Sequence, residues 1–238
     1  MKDEGLKNLF SLLARDISQA QDSFSNETFD TEECQETFIV SVTGVPGVGK
    51  STLVDQIASS IAEELTSIVI LSFDPSSAIS GGALLADRNS YTSCSATPNI
   101  FIRSLSARGH LGGTSQSIGS ILRAISRFSI PLAIVETTGV GQSEIEVREI
   151  SHGVIQVLHP DLGDEVHDLK SGIHEITDFF FFNNRSKEPL EIQQKRAHLM
   201  QIQYPDKVVV TGNARLGYGI DEIKDFIMKR LLERNART

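Results

Sequence analysis

The octapeptide Gly44-Val45-Pro46-Gly47-Val48-Gly49-Lys50-Ser51 constrains this chain more than any other stretch. It follows an apolar run at 38–42 and opens a helical pattern over 50–64. The physics of such a loop is specific. Glycines let successive backbone N–H groups turn inward around a phosphate. The start of the following helix adds a partial positive charge. A lysine at position 50 reaches the β- and γ-phosphates of a nucleotide, and the Ser51 hydroxyl is placed to ligate Mg²⁺. Residues 44–51 and Thr52 are therefore candidate nucleotide-binding residues.

Downstream, short apolar runs alternate with helical patterns. Runs at 38–42, 68–73, 100–103, 132–135, 154–158, 179–182 and 208–210 read as strands. Helical patterns lie near 50–64, 115–128, 143–151, 166–176, 187–200 and 219–234. Several of the runs are continuously apolar, as in parallel strands covered on both faces. The alternation predicts a three-layer α/β P-loop NTPase fold with a doubly wound, mostly parallel sheet. Ahead of it, Leu6, Leu9, Phe10, Leu13 and Ile17 recur at helical spacing, so 6–17 is an amphipathic helix that docks on the domain. Residues 21–36 are polar and acidic and read as a linker. The expected organisation is an N-terminal helix and linker over 1–36 and a nucleotide-binding domain over 37–238.

Composition narrows the partners. In a chain of 238 residues a net charge of −9 argues against non-specific nucleic-acid or anionic-membrane binding as the main activity, since both need a basic surface, and leaves room only for a local basic patch. The two cysteines, Cys34 and Cys94, form no Cys-x-x-Cys pair, which argues against a thiolate metal site and for a reducing compartment. No apolar run approaches the ~20 residues of a membrane span. Residues 1–36 carry nine acids and three bases, the reverse of a mitochondrial transit peptide. The expectation is a cytoplasmic protein.

In an open parallel sheet the remaining nucleotide chemistry belongs at the carboxyl ends of neighbouring strands. Asp74 follows the run at 68–73, and Glu136 follows the run at 132–135. Both are hard oxygen donors of the type Mg²⁺ takes. Gly139, just beyond Glu136, is placed to offer an N–H to the γ-phosphate within a switch segment.

Several longer motifs occur in one order: Asp74-Pro75-Ser76-Ser77, Gly81-Gly82-Ala83-Leu84-Leu85-Ala86-Asp87-Arg88, Phe101-Ile102-Arg103-Ser104, Arg108-Gly109-His110-Leu111-Gly112-Gly113, Glu136-Thr137-Thr138-Gly139-Val140-Gly141-Gln142-Ser143-Glu144 and Gly163-Asp164-Glu165. With the phosphate loop they resemble, over about residues 10–225, the P-loop GTPases that chaperone adenosylcobalamin-dependent methylmalonyl-CoA mutase. That family has also been labelled an arginine/ornithine transport kinase. The resemblance implies a magnesium-dependent GTPase that binds GTP and GDP and docks on a cobalamin-dependent acyl-CoA mutase. It implies catalytic roles for Lys50, Glu136 and Lys170, and metal-side roles for Ser51, Asp74, Asp87 and Glu136. Residues 159–170 match its switch segment, and Asn183 and Ala214 match its base-side loops.

The chain departs from this pattern where a guanine base is read. The family's Asn-Lys-x-Asp appears as Asn183-Asn184-Arg185-Ser186, and a serine does not replace a carboxylate that accepts two hydrogen bonds. Glu188 is the nearest substitute. The switch segment reads His159-Pro160-Asp161-Leu162, and His167 stands in place of a usual glutamine. The family's C-terminal helical arm finds no counterpart before residue 238, so a monomer or weak dimer is expected. The six histidines form no ligand-type pairs, unlike the metal segments of related nickel-delivery GTPases. Arg103 and Arg108 are open to phosphate, partner or structural roles. Two other readings stay open beside GTP hydrolysis: a non-hydrolysing pseudo-GTPase with a degenerate base pocket, and a small-molecule kinase on the same scaffold.

Overall fold

The computed structural model describes residues 2–22, 30–31, 34, 36–74, 91–106, 114–137, 148–159, 172–184 and 190–236. Seven parallel strands form one sheet: β1 (Phe38–Thr43), β2 (Ile68–Asp74), β3 (Ile100–Ser106), β4 (Leu132–Glu136), β5 (Gly153–Leu158), β6 (Phe179–Asn183) and β7 (Val208–Gly212). Their order across the sheet is β3-β2-β4-β1-β5-β6-β7. Among the described residues the α-helices are α1 (Lys2–Asp22), α2 (Lys50–Ile61), α3 (Thr114–Ser126), α4 (Ile173–Ile176), α5 (Leu190–Gln203) and α6 (Ile220–Asn235). The chain leaves β1 toward one side to build β2, β3 and β4, then returns past β1 to build β5, β6 and β7. Direction reverses at the β4-β1-β5 centre, where open α/β sheets bind their ligands. The all-parallel sheet with helices on both faces is the expected doubly wound P-loop NTPase architecture.

Alternation along the strands divides the core in two. Phe38, Val40 and Val42 of β1 face Leu53, Ile57 and Ile61 of α2 and Ile223 and Ile227 of α6. Ile39, with Val69 and Leu71 of β2 and Ala133 and Val135 of β4, faces the other layer, which includes Ile118, Ile121 and Ile125 of α3. The four-phenylalanine run is a strand whose rings take opposite faces. Phe179 and Phe181 join the first core. Phe180 and Phe182 form a smaller cluster with Ala197, Met200 and Tyr204. A Phe at each position covers both faces of the strand, which accounts for a run with no polar alternation.

The amphipathic N-terminal stretch is helical over 2–22, longer than the 6–17 spacing indicated, and Leu13 and Ile17 are fully buried in the second core. Within the segment expected as a linker, Cys34 is also fully buried in that core. Arg234 at the end of α6 donates to the carbonyls of Thr31 (3.3 Å) and Cys34 (3.1 Å). Acidic composition concealed this anchoring, because it runs through main-chain carbonyls that composition does not register. The expected helix near 143–151 lies largely outside the described residues, as does the part of 166–176 ahead of α4. No helix among the described residues is long and apolar enough to cross a membrane.

His152 locks the start of β5 to β1. Its Nδ1 accepts from the Ile39 amide at 2.8 Å, its Nε2 faces the Thr31 carbonyl at 3.3 Å, and its ring stacks on Phe38. An accepting Nδ1 requires the neutral ring. Burial, reinforced by Arg234, lowers its pKa from 6.5 to about 4. Above the unfolded value both states are neutral. Between the two values only the unfolded chain takes the proton, so this contribution is complete above pH 6.5 and declines as pH falls toward about 4. At its full extent the loss is about 3 kcal/mol. His152→Asn keeps an acceptor for Ile39 without a titrating ring. Urea unfolding from about pH 7.5 to about pH 4.5 should therefore show a shallower loss of stability in this variant than in the unmodified protein.

Candidate functional site

The phosphate loop joins β1 to α2 by a tight left-handed path. Gly44, Gly47 and Gly49 have φ of 136°, 80° and 102°. At Gly44 a second constraint applies: a β-carbon would collide with the Val157 carbonyl of β5. No side chain caps the start of α2 at Gly49, so its leading amides are presented by the loop itself. Val48 is buried and anchors the loop, while Pro46, Gly47 and Thr52 are exposed and Val45 and Ser51 half-buried. Lys50 is 7% exposed and its Nζ donates to the carbonyls of Gly44 (2.8 Å) and Val45 (3.2 Å). The ammonium thus lies across the loop that its own backbone forms.

Three strand ends converge beside it. The last residue of β4, Glu136, is in register with Val42 of β1 and Ser72 of β2. This register brings its carboxylate, 6% exposed, to the first turn of α2, where Ser51 Oγ donates to Oε1 at 2.6 Å. The two residues expected on the metal side from the loop and from β4 are therefore in direct contact. Asp74 ends β2 and is described through its backbone, paired with Ser106. Its side chain, and the whole of Asp87, Gly139 and Lys170, lie outside the described residues, as do Arg108, Ser186 and Glu188.

On the other side, Asn183 ends β6 and is 1% exposed. Its Nδ2 donates to the Val48 carbonyl at 2.8 Å, and its Oδ1 accepts from the Ala214 amide at 3.0 Å. One buried amide therefore ties the phosphate loop to the loop after β7. Asn213 extends this frame, donating from its side chain to the Asn184 carbonyl at 2.6 Å. The Asn184 amide donates to Gly212 at 2.7 Å, while its Oδ1 is buried without a hydrogen-bond partner.

Sequence reading missed two residues here. Tyr91 is 1% exposed and its hydroxyl donates to Oε2 of Glu136. Asp55, on α2 and 4% exposed, accepts from the amides of Ser93 (3.2 Å) and Cys94 (2.8 Å). Asp55 left a trace in the sequence: it is an acid among Leu53, Val54, Ile57 and Ala58 on the buried side of α2. Tyr91 belongs to no motif and left none. Cys94 is an ordinary core thiol. Burial above all pushes its pKa up to about 12, against a lowering hydrogen bond from Ser59, so it is no thiolate nucleophile. Arg103 donates to Ser18 of α1 at 3.0 Å, a structural tie between β3 and that helix. No cluster of three His, Cys, Asp or Glu side chains among the described residues is placed to hold a metal ion.

Asn183→Ala would leave the Ala214 amide and the Val48 carbonyl buried without partners. Urea unfolding should show a loss of about 2–4 kcal/mol. Thr52→Ala, at an exposed helical position, should change stability by less than about 0.5 kcal/mol in the same measurement.

Comparison with known proteins agrees with this geometry. The sequence profile of the family described as "Methylmalonyl Co-A mutase-associated GTPase MeaB" matches residues 18–235. A Pyrococcus abyssi protein named as a GTPase is 35% identical over 84% of this chain and 65% of its own length. The GTPase ArgK of Escherichia coli is 31% identical over 80% of this chain and 60% of its own. The methylmalonic aciduria type A homolog of Caenorhabditis briggsae, a mitochondrial protein, is 32% identical over 70% of this chain and 40% of its own. The chain thus spans less than two thirds of the length of these curated relatives. Among solved structures, an LAO/AO transport system kinase superimposes with a TM-score of 0.66 at 21% identity, over 99% of this chain and 80% of its own. The hydrogenase maturation factor HypB of Archaeoglobus fulgidus gives 0.62 at 16%, over 93% and 99%, a likeness of fold. With phosphate loop, strand order and profile in agreement over nearly the whole chain, the protein belongs to the MeaB family of P-loop GTPases.

Proposed function

We propose that this protein binds GTP with Mg²⁺, hydrolyses it to GDP, and uses that cycle to chaperone a cobalamin-dependent acyl-CoA mutase. The observation that carries the nucleotide chemistry is the contact between the Ser51 hydroxyl and the Glu136 carboxylate, beside the Lys50 ammonium. These donors fit Mg²⁺. They are hard oxygens, few in number, and Mg²⁺ takes its other ligands from water and phosphate. Ser51 and Glu136 would hold the ion, with Asp74 and Asp87 completing the acidic set. When bound, it neutralises charge on the β- and γ-phosphates. The loop amides and Lys50 orient the triphosphate. Gly139 and Lys170 are assigned to the segments that respond to the γ-phosphate. The partner assignment rests on family membership, and so does the expectation that hydrolysis is coupled to mutase loading.

Phosphate release from GTP, measured with and without an adenosylcobalamin-dependent acyl-CoA mutase, tests this. Turnover that rises with the mutase is the expected result; no release under either condition excludes the hydrolase. Glu136→Gln should lower kcat about tenfold to a hundredfold while GDP affinity changes less than about threefold. Lys50→Ala should lose tight triphosphate binding. An unaltered affinity would remove the loop from the site.

One place favours a second reading, a nucleotide-binding module with relaxed base recognition. Asn183 keeps its structural bonds, but Asn184 and Ser186 occupy the positions of the family's lysine and base-reading carboxylate. Losing a charge-assisted hydrogen-bond pair removes about 2–3 kcal/mol of base-specific binding. The GTP-over-ATP preference should then be one to two orders of magnitude below that of relatives carrying the full motif. Calorimetry with both nucleotides measures it. Asn184→Lys together with Ser186→Asp should raise GTP affinity far more than ATP affinity. A large native preference for GTP would transfer base reading to another group, with Glu188 the first to replace.

A further inference from the structure

Glu136 has two carboxylate oxygens, and each has its own donor. Oε1 takes the Ser51 hydroxyl at 2.6 Å, and Oε2 takes the Tyr91 hydroxyl. A carboxylate held at one oxygen alone can still turn about its last torsion, a broad one with little intrinsic preference. Held at both, its plane is defined. Tyr91 is itself immobilised. Its ring lies in the core formed by β1, β4, α2 and α6, at 1% exposure. Its carbonyl accepts from the Ser95 amide at 3.1 Å and the Ser95 hydroxyl at 2.5 Å. The turn that follows is pinned to α2, because Asp55 accepts from the amides of Ser93 and Cys94. Asp55 is one helical turn beyond Ser51. The helix that carries the Ser51 hydroxyl therefore also fixes the segment that carries the Tyr91 hydroxyl, and both meet on one carboxylate.

We propose that Tyr91 is a positioning residue of the magnesium site, acting through Glu136. Its phenol fixes Oε2 while Ser51 holds Oε1, so the carboxylate would meet the ion without a further loss of side-chain freedom. The proposal rests on the magnesium-dependent reading of the site given above. It extends that reading to a residue outside every motif in the sequence, one that acts through the Glu136 carboxylate. Groups that orient a metal-side carboxylate in this way commonly contribute tenfold or more to metal affinity.

Tyr91→Phe removes the hydroxyl and keeps the ring in its core. Three measurements are made on this variant, on Glu136→Gln and on the double variant: Mg²⁺ affinity of the GDP-bound protein by calorimetry, GDP affinity without Mg²⁺, and kcat and KM for GTP. Tyr91→Phe should weaken Mg²⁺ binding about tenfold and change metal-free GDP affinity less than about twofold. It should lower kcat with little change in KM for the magnesium nucleotide. The double variant should bind Mg²⁺ no more weakly than Glu136→Gln alone, because the effect passes through that carboxylate. If Tyr91→Phe lowers Mg²⁺ and metal-free GDP affinity equally, or if the two substitutions add in full, Tyr91 is structural and the proposal fails. Should the phenylalanine variant not fold, Tyr91→Met tests the same loss with a flexible apolar side chain. Unmodified protein that binds GDP no better with Mg²⁺ than without it overturns the magnesium reading and this proposal together. Normal Mg²⁺ dependence with an unaffected Tyr91→Phe overturns the proposal alone.

Discussion

The end of β1 runs so close to β5 that Gly44 leaves no room for a β-carbon against the Val157 carbonyl. The rest of the site depends on this approach. Two central strands at parallel spacing bring their carboxyl ends level, and the chain has to leave β1 through a residue that is both small and tolerant of positive φ. Once it does, the loop reaches α2 through further left-handed glycines at 47 and 49. The helix then starts beside the end of β4, and Ser51 meets Glu136. The phosphate site follows from strand spacing, and the residues that line it are those the spacing leaves room for.

This explains which parts were legible in advance. The central strands β1, β4, β5 and β6 announced themselves because a strand buried along its length is largely apolar, and the four-phenylalanine run is the extreme case. The phosphate loop was legible because its glycines answer a backbone requirement that no other residue meets. Glu136 was legible as an acid at the end of an apolar strand. Tyr91 was not, since a tyrosine near a core carries no sign of which acceptor its hydroxyl will find. The same holds for Cys34 and Thr31, whose carbonyls anchor α6 through Arg234. Main-chain acceptors are present at every residue, so sequence does not mark the ones that are used. His152 is similar: its role depends on a neutral ring accepting from Ile39, a residue 113 positions away.

The buried polar residues around the site also divide the labour of recognition. Asn183 spends both ends of its amide on protein, one on the phosphate loop and one on the loop after β7. It joins the loop after β7 to the phosphate loop. Asn213 does the same one step further out, through the Asn184 carbonyl. The bonds of this frame to residue 184 run through its main chain, so they do not depend on which side chain stands there.

That separation gives the departures from the family pattern a physical meaning. Had the base-reading carboxylate been part of the frame, its loss would have left buried donors unpaired, at a cost of about 1–3 kcal/mol each, and the phosphate loop would have shifted with it. The structure instead keeps Val48, Ala214 and Asn183 joined while the adjoining positions carry Asn184 and Ser186. These bonds run through Asn183 and main-chain groups, and lie apart from the Ser51–Glu136 contact. Ser51, Tyr91 and Asp55 are linked through one carboxylate and one helix. The frame around Asn183 and the contacts around Glu136 are therefore two separate sets of bonds, one joining the phosphate loop to the loop after β7 and the other joining the end of β4 to α2 and to Tyr91.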